Sequence, residues 1–208
     1  MTSVPKVVVF DLGKVLVDFD YGIAARKIAS HSALGETGVR NLLDHTPLLF
    51  RYETGLLTRE EFYQEACRGA GYRGGFAEFC AHFADIFWEI EPMIALHSTL
   101  RQHDIPTYIF SNTNDLAVGH IREKFPFFSH FNDYIFSYEH GAMKPNASLY
   151  EVVERKTAQT GAAIVYLDDR AENIATAIGR GWRGLLHETP KTTLAALQNM
   201  GLPVPVLK

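Results

Sequence analysis

Four polar clusters in this sequence each follow a short apolar run. Asp11 ends Val7-Val8-Val9-Phe10, and Ser111-Asn112-Thr113-Asn114 closes a second run that begins at Thr107. Lys144-Pro145 comes shortly after a third, and Asp168-Asp169 ends a fourth, with Asn173 just beyond. Singly, each has an ordinary explanation: an Asp after a strand forms turns, Ser-Asn-Thr-Asn caps helices, and Lys-Pro sits in solvated loops. The acidic pair asks for more, because adjacent carboxylates at one strand end repel unless a cation or a shared proton stands between them. Together the clusters compose a phosphoryl-transfer set. A carboxylate can attack phosphorus to form an acyl phosphate, a hydroxyl and backbone amides can hold the equatorial oxygens, and a lysine with a divalent cation can neutralise developing charge. Hard oxygen ligands of this kind suit Mg²⁺ and not zinc. No His-Glu-x-x-His, Gly-x-Ser-x-Gly or Walker A sequence competes.

These clusters need a scaffold that brings strand ends together. Val7 to Phe10, Thr107 to Ser111, Tyr134 to Ser137, Ile164 to Leu167 and Gly184 to His187 read as buried strands. Met93 to His103, Asn114 to Phe125, Ala147 to Thr160 and Asn173 to Arg180 read as amphipathic helices between them. Such alternation predicts an α/β, Rossmann-like three-layer core, with a parallel sheet of about five strands and helices on both faces. Ligands then bind outside the carboxyl ends of the strands, where the clusters fall.

The stretch from Asp11 to Thr107 is far longer than one crossover needs and carries only helical periodicity. Asp20 can cap a helix running to about Ala33, and Thr58 with Glu61 makes a capping-box pattern. Phe76, Phe79, Phe83 and Phe87 recur along one helical face, as core packing requires. We therefore expect a small all-helical cap domain at residues 18–88, inserted into a discontinuous core of residues 1–17 and 89–208.

The composition sets further bounds. With 208 residues, 47% of them hydrophobic, the chain can bury a full core. A net charge of -4 with dispersed Lys and Arg lacks the basic stripe that holds nucleic acid. The apolar run before Asp11 is too short for a signal sequence or a membrane span, so we expect neither a nucleic-acid nor a membrane partner, and a cytoplasmic location. Cys67 and Cys80 fit neither a zinc knuckle nor a redox pair; they read as free thiols in a reducing compartment, with a disulfide as the lesser alternative. Nothing in the pattern reports oligomeric state.

The order Asp, Ser-Asn, Lys-Pro, Asp-Asp resembles the four motifs of the haloacid dehalogenase superfamily, over nearly the whole chain. The helical insert after the first strand is similar to the small cap of its first structural subclass. Phe-Asp-Leu-Gly-Lys-Val-Leu-Val-Asp, Ser-Asn-Thr-Asn, Met-Lys-Pro and Leu-Asp-Asp-Arg-Ala-Glu-Asn resemble the branch that contains bacterial α-D-glucose-1-phosphate phosphatase, and Tyr52-Glu53-Thr54-Gly55-Leu56 extends the likeness. The resemblance implies Asp11 as nucleophile and metal ligand, and Ser111 and Asn112 as holders of the phosphoryl oxygens. It implies that Lys144 pairs with nucleophile and phosphate, that Asp169 ligates Mg²⁺ directly while Asp168 acts through water, and that Asn173 supports the loop. Which member of the acidic pair touches the metal stays open.

Most phosphatases of that kind carry a second Asp two residues after the nucleophile, where it protonates the leaving alcohol and activates water. Here that position is Gly13, whose backbone carbonyl can ligate Mg²⁺ but whose side chain offers nothing. A general acid typically supplies about 10²- to 10⁴-fold, so a site without one favours acidic leaving groups such as an anomeric hydroxyl. The expected activity is hydrolysis of a small phosphorylated metabolite, a sugar phosphate such as a sugar 1-phosphate. Two alternatives stand beside it: a catalytically silent phosphate-binding module, suggested by Gly13, and a metal-independent 2-haloacid dehalogenase, which would have no use for Asp168-Asp169. Arg51, Tyr52 and Glu53 are the candidate specificity residues of the cap, with Arg51 suited to a second anionic group.

Overall fold

The computed structural model describes residues 4–44 and 46–206. Its strands are β1 (Val7–Phe10), β2 (Val17–Phe19), β3 (Phe87–Glu89), β4 (Thr107–Ser111), β5 (Asp133–Phe136), β6 (Ile164–Asp168) and β7 (Arg183–Leu186). Five of them form one sheet in the order β5-β4-β1-β6-β7, every pairing parallel. β1 lies at the centre and is buried along its whole length, which is why it reads as an unbroken apolar run. From β1 the chain builds outward through β4 to β5, then returns to the other side of β1 for β6 and β7. The strand order therefore reverses between β1 and β6, and the crevice expected at such a point opens where Asp11 and Asp168 end their strands.

Between β1 and β4 the chain forms α1 (Tyr21–Ala29), α2 (Glu36–Leu43), α3 (Pro47–Glu53), α4 (Arg59–Ala70) and α5 (Phe76–Ala84). Asp20 caps α1 by accepting from the Gly22 N–H, and Thr58 with Glu61 forms a reciprocal capping box on α4. These helices gather a hydrophobic cluster of their own, with Ile28, Leu43, Tyr52, Phe62, Phe79 and Phe83 at its centre. Leu116, from the core, joins it. Three expectations are corrected here. α1 stops at Ala29, short of Ala33. Phe87 lies on a strand, because α5 ends at Ala84. The insert is bracketed by an antiparallel two-stranded sheet, β2 with β3, which helical periodicity could not reveal since each strand has only three residues.

The remaining helices are α6 (Glu91–Gln102), α7 (Asp115–Lys124), α8 (Ser137–His140), α9 (Ala147–Thr157), α10 (Ala171–Gly179) and α11 (Pro190–Asn199). The two-residue period of β1 sends Val8 and Phe10 to one face of the sheet and Val7 and Val9 to the other. Val8 and Phe10 pack with Met93 and Leu96 of α6, Val118 of α7 and Leu197 of α11. Val7 and Val9 pack with Leu149 and Val153 of α9 and Ala177 of α10. The result is helix, sheet and helix in three layers, in which each buried Leu or Phe contributes about 1.5–3 kcal/mol. α9 ends at Thr157 and not at Thr160, because Ala158 turns into the left-handed region at φ 51°. Among the described residues no helix is long and apolar enough to cross a membrane.

Candidate active site

Asp11 leaves β1 with its backbone N–H still bonded to the Leu167 carbonyl at 2.8 Å, so the sheet itself fixes where its carboxylate starts. The chain then folds tightly: Lys14 takes φ 61°, and its N–H reaches the Val17 carbonyl at 2.7 Å. Asp11 Oδ1 accepts from the Leu12 N–H at 2.7 Å and from Lys144 Nζ at 3.0 Å, leaving Oδ2 without a donor among the described residues.

Lys144 is held from two directions. Its backbone N–H donates to Asn112 Oδ1 at 2.7 Å, and the Asn112 amide donates back to the Lys144 carbonyl at 3.1 Å. Two clusters far apart in sequence are thus clamped together by one side chain. The ammonium, 1% exposed, lies within 3.0 Å of Asp11 Oδ1, 2.7 Å of Asp168 Oδ2, 2.9 Å of the Phe110 carbonyl and 3.0 Å of the Tyr166 hydroxyl.

Asp168 is fully buried and saturated with donors. Besides Lys144 it accepts from the Arg170 N–H at 2.8 Å, from the Tyr166 hydroxyl, and from the Asn173 amide at 3.0 Å on each oxygen. Asp169 forms no ion pair among the described residues and opens onto the cleft. The carboxylates of Asp11, Asp168 and Asp169 have ligand atoms within 4.8 Å of one another.

Three carboxylates around a single ammonium are out of balance. Burial pushes the Asp11 carboxyl up to about 8, with Lys144 pulling it down and Asp168 and Asp169 pushing it further up. Asp169 is raised as well, by desolvation and then by Asp168. Asp168 alone moves down: burial opposes its charge, but Lys144 and the hydrogen bonds from Tyr166 and Arg170 outweigh it. Lys144 is raised, because its two carboxylates overcome the desolvation of the ammonium. Left so, Asp11 binds a proton; a divalent cation would restore the charge and release it. The donors are all hard oxygens, which fits Mg²⁺. The buried Asn173 Oδ1, with no donor among the described residues, leaves a polar atom beside the same group.

A cleft of about 580 Å³ lies over these groups and is closed by the insert. Asp11, Gly13, Asn112, Lys144, Asp169 and Asn173 line its floor; Phe19, Asp20, Tyr21, Arg40, Asp44, Leu49 and Glu53 line its upper wall, with Lys14 and Arg170 at the sides. Ser111, 2% exposed, ends β4 and lines a smaller recess with Gly13, Asn112 and Glu53. Asn114 takes the ordinary role after all, accepting from the Ala117 N–H at 3.0 Å as the cap of α7.

Of the three cap candidates only Glu53 reaches the cleft. Successive helical residues project about 100° apart, so three in a row cannot share a face. Arg51 turns out to α4 and forms a two-bond ion pair with Glu65 at 2.8 and 3.1 Å. Tyr52 turns inward, 1% exposed, stacked on Phe62 at 4.3 Å with its hydroxyl on Asp115. Arg51 therefore has no free guanidinium for a second anion. Sequence reasoning missed Tyr166, whose place two residues before Asp168 on a strand puts both on one face and was the available signal. It also missed Asp20, Tyr21, Arg40 and Asp44, which no spacing relates to Asp11.

A parallel sheet with its acidic groups gathered at the reversal of strand order, under a helical insert, is the build of a hydrolase of the haloacid dehalogenase-like family; the model of that family matches residues 5–180, and the chain belongs to it. The fold is similar to that of a HAD-like family hydrolase from Porphyromonas gingivalis, with a TM-score of 0.80 and 21% identity over 95% of this chain and 98% of that one. It is similar to a HAD family enzyme from Bacteroides thetaiotaomicron in complex with magnesium and inorganic phosphate, with a TM-score of 0.74 and 21% identity over 88% and 93%. L-2-haloacid dehalogenase from Xanthobacter autotrophicus also shares the fold, with a TM-score of 0.65 and 16% identity over 97% and 85%. At these identities the likeness is one of fold and leaves the reaction to the site.

Proposed function

We propose that the chain is a magnesium-dependent phosphomonoesterase of the cytoplasm, acting through covalent attack by Asp11 on a small phosphorylated metabolite, a sugar phosphate such as a sugar 1-phosphate. The observation that carries this reading is the excess of carboxylate over ammonium at the floor of the cleft: Asp11, Asp168 and Asp169 around Lys144. Asp11, Asp169 and the Gly13 carbonyl would hold the cation, with Asp168 behind them. Bound there, Mg²⁺ would supply charge neutralisation and polarise a phosphoryl oxygen.

Asp11 attacks phosphorus through Oδ2 while Lys144 holds Oδ1 and keeps the carboxylate aligned; the ester bond breaks, the alcohol leaves, and water then cleaves the aspartyl phosphate. Ser111 and the Asn112 backbone would receive phosphoryl oxygens, since the Asn112 side chain is committed to Lys144. The upper wall supports an uncharged, hydroxyl-rich leaving group. Arg40 is shared between Asp20 at 3.9 Å and Asp44 at 3.7 Å, Lys14 pairs with Asp18, and Arg170 pairs with Glu172 at 2.6 Å. Each cation of the wall already has its carboxylate, so a second anionic group finds no partner, whereas carboxylates and Tyr21 suit hydroxyls. Cys67 and Cys80 are both free, as fits a reducing compartment.

A dehalogenase would also use Asp11 but would give Asp169 no task, and a silent scaffold would have no need of an aligned, half-free nucleophile. One experiment separates the three: release of phosphate from a panel of phosphoesters, and of halide from 2-haloacids, with Mg²⁺ and with EDTA. Phosphate release that stops with EDTA supports the proposal. Halide release in EDTA, or no release from any substrate, would remove it.

A further inference from the structure

The segment Tyr52 to Gly55 is fastened to the core at three successive points. The Tyr52 hydroxyl bonds to Asp115 at the start of α7. The Glu53 carbonyl accepts from Ser137 Oγ at 2.6 Å, and the same hydroxyl oxygen accepts from the Thr113 backbone N–H at 2.9 Å, inside the Ser-Asn-Thr-Asn loop. Gly55, at φ 71°, passes so near Tyr138 that an added Cβ would stand 2.2 Å from the Tyr138 carbonyl oxygen. Only glycine fits there. Glu53 belongs to the insert, yet its backbone is registered against the loop that carries Ser111 and Asn112.

Its side chain completes the placement. Glu53 lines the main cleft with Asp11 and Lys144, and lines the smaller recess with Gly13, Ser111 and Asn112. Its carboxylate has no hydrogen-bond donor among the described residues. Position 13, by contrast, has no room to spare: a Cβ there would stand 2.9 Å from the Phe19 ring, which packs against Tyr21 and Phe87.

We propose that Glu53 is the general acid and base of the reaction, supplied by the insert in place of the side chain absent at Gly13; this rests on phosphoester hydrolysis at Asp11. In the first step Asp11 bonds to phosphorus, the bond from phosphorus to the ester oxygen breaks, and the Glu53 proton passes to that oxygen. In the second, the Glu53 carboxylate takes a proton from water, the hydroxide bonds to phosphorus, and the Asp11 carboxylate is released with inorganic phosphate. Glu53 ends protonated, as it began. Burial pushes its carboxyl up to about 7 against the pull of Arg170, so both forms are present near neutrality. Asp20, Tyr21, Arg40 and Asp44 line the same wall, and burial together with the Glu53 and Asp44 carboxylates raises the Tyr21 hydroxyl and keeps it protonated. With an acid in the cleft, the acidity of an anomeric hydroxyl no longer selects the substrate, and the wall with its paired charges does.

The test compares wild type, Glu53→Gln and Glu53→Asp in Mg²⁺, on a simple alkyl phosphate and on p-nitrophenyl phosphate, with melting curves to show that each variant folds. Glu53→Gln should lose about 10²- to 10⁴-fold on the alkyl ester. On p-nitrophenyl phosphate, whose leaving group departs unaided, it should release a stoichiometric burst of nitrophenol and then stall, accumulating hydroxylamine-labile phosphoenzyme because water has lost its base. Glu53→Asp should recover part of the alkyl activity. An active wild type, with both esters lowered equally or both unchanged in Glu53→Gln and no burst, would overturn the assignment of Glu53 alone. A wild type inactive on every ester would overturn the phosphatase reading and the assignment with it.

Discussion

The floor and the upper wall of the cleft use the same residue types in opposite ways. On the floor Lys144 and Asp168 are 1% and 0% exposed, and the contacts of the Lys144 ammonium lie between 2.7 and 3.0 Å. On the wall Arg40 is 52% exposed and its pairs with Asp20 and Asp44 stretch to 3.9 and 3.7 Å. Charges out of water interact strongly and tolerate no missing partner, whereas exposed pairs are screened and worth little. The floor can therefore hold a nucleophile in one geometry, while the wall can yield to the shape of a leaving group.

The sharpest way to break this comparison is Asp11→Asn, which should lower turnover by at least about 10⁴-fold in single-turnover assays while the protein still folds. Retained activity would move the chemistry off the floor. Lys144→Met comes next: it leaves Asp11 and Asp168 facing each other without their ammonium, and should cost about 3–5 kcal/mol in urea titrations as well as activity. A loss no larger than that of a surface pair would show that the floor is not the low-dielectric region described.

Metal and proton should compete on the floor. In EDTA the folded Asp11 carboxyl lies near 8 against an ordinary 3.8, so the folded state keeps a proton that the unfolded state gives up. That contribution is full below the ordinary value and is lost as pH rises towards about 8. Melting temperatures in EDTA should thus fall from pH 5 to pH 8, and the fall should flatten in Asp11→Asn. Magnesium at about a hundredfold over its Kd should return about 2.7 kcal/mol at pH 8. An unchanged melting temperature would mean that no cation binds. The acidic pair should split: Asp168→Asn lowers stability, because four donors meet that carboxylate, whereas Asp169→Asn weakens magnesium binding in calorimetry with little effect on melting. The reverse order would make Asp168 the inner ligand.

The smallest effects belong to the wall. Arg40→Ala should shift relative kcat/KM among sugar phosphates by about fivefold at most, the worth of an exposed pair. Arg51→Ala should not reorder substrates, since its guanidinium is spent on Glu65. A reordering in Arg51→Ala would return that residue to the cleft.

The clusters on the floor were legible because each hangs on a strand end, and strands announce themselves as apolar runs: Asp11 after Phe10, Ser111 at the end of β4, Asp168 at the end of β6. The sheet's parallel pairing then brings those ends together, which alternation of strands and helices already implies. β2 and β3 stayed hidden, being three residues each and defined only by one another.

What the sequence determined by itself was therefore the sheet, the existence of a helical insert and the residue types gathered at the strand ends, all of which follow from local periodicity. Only the tertiary structure decided how side chains of the insert are shared out. Arg51, Tyr52 and Glu53 are adjacent in the chain, and the packing of α3 sends one to Glu65, one into the aromatic core and one over Asp11. Which neighbour faces the cleft depends on the rotation of a helix about its own axis, and that angle is set by the surfaces it packs against.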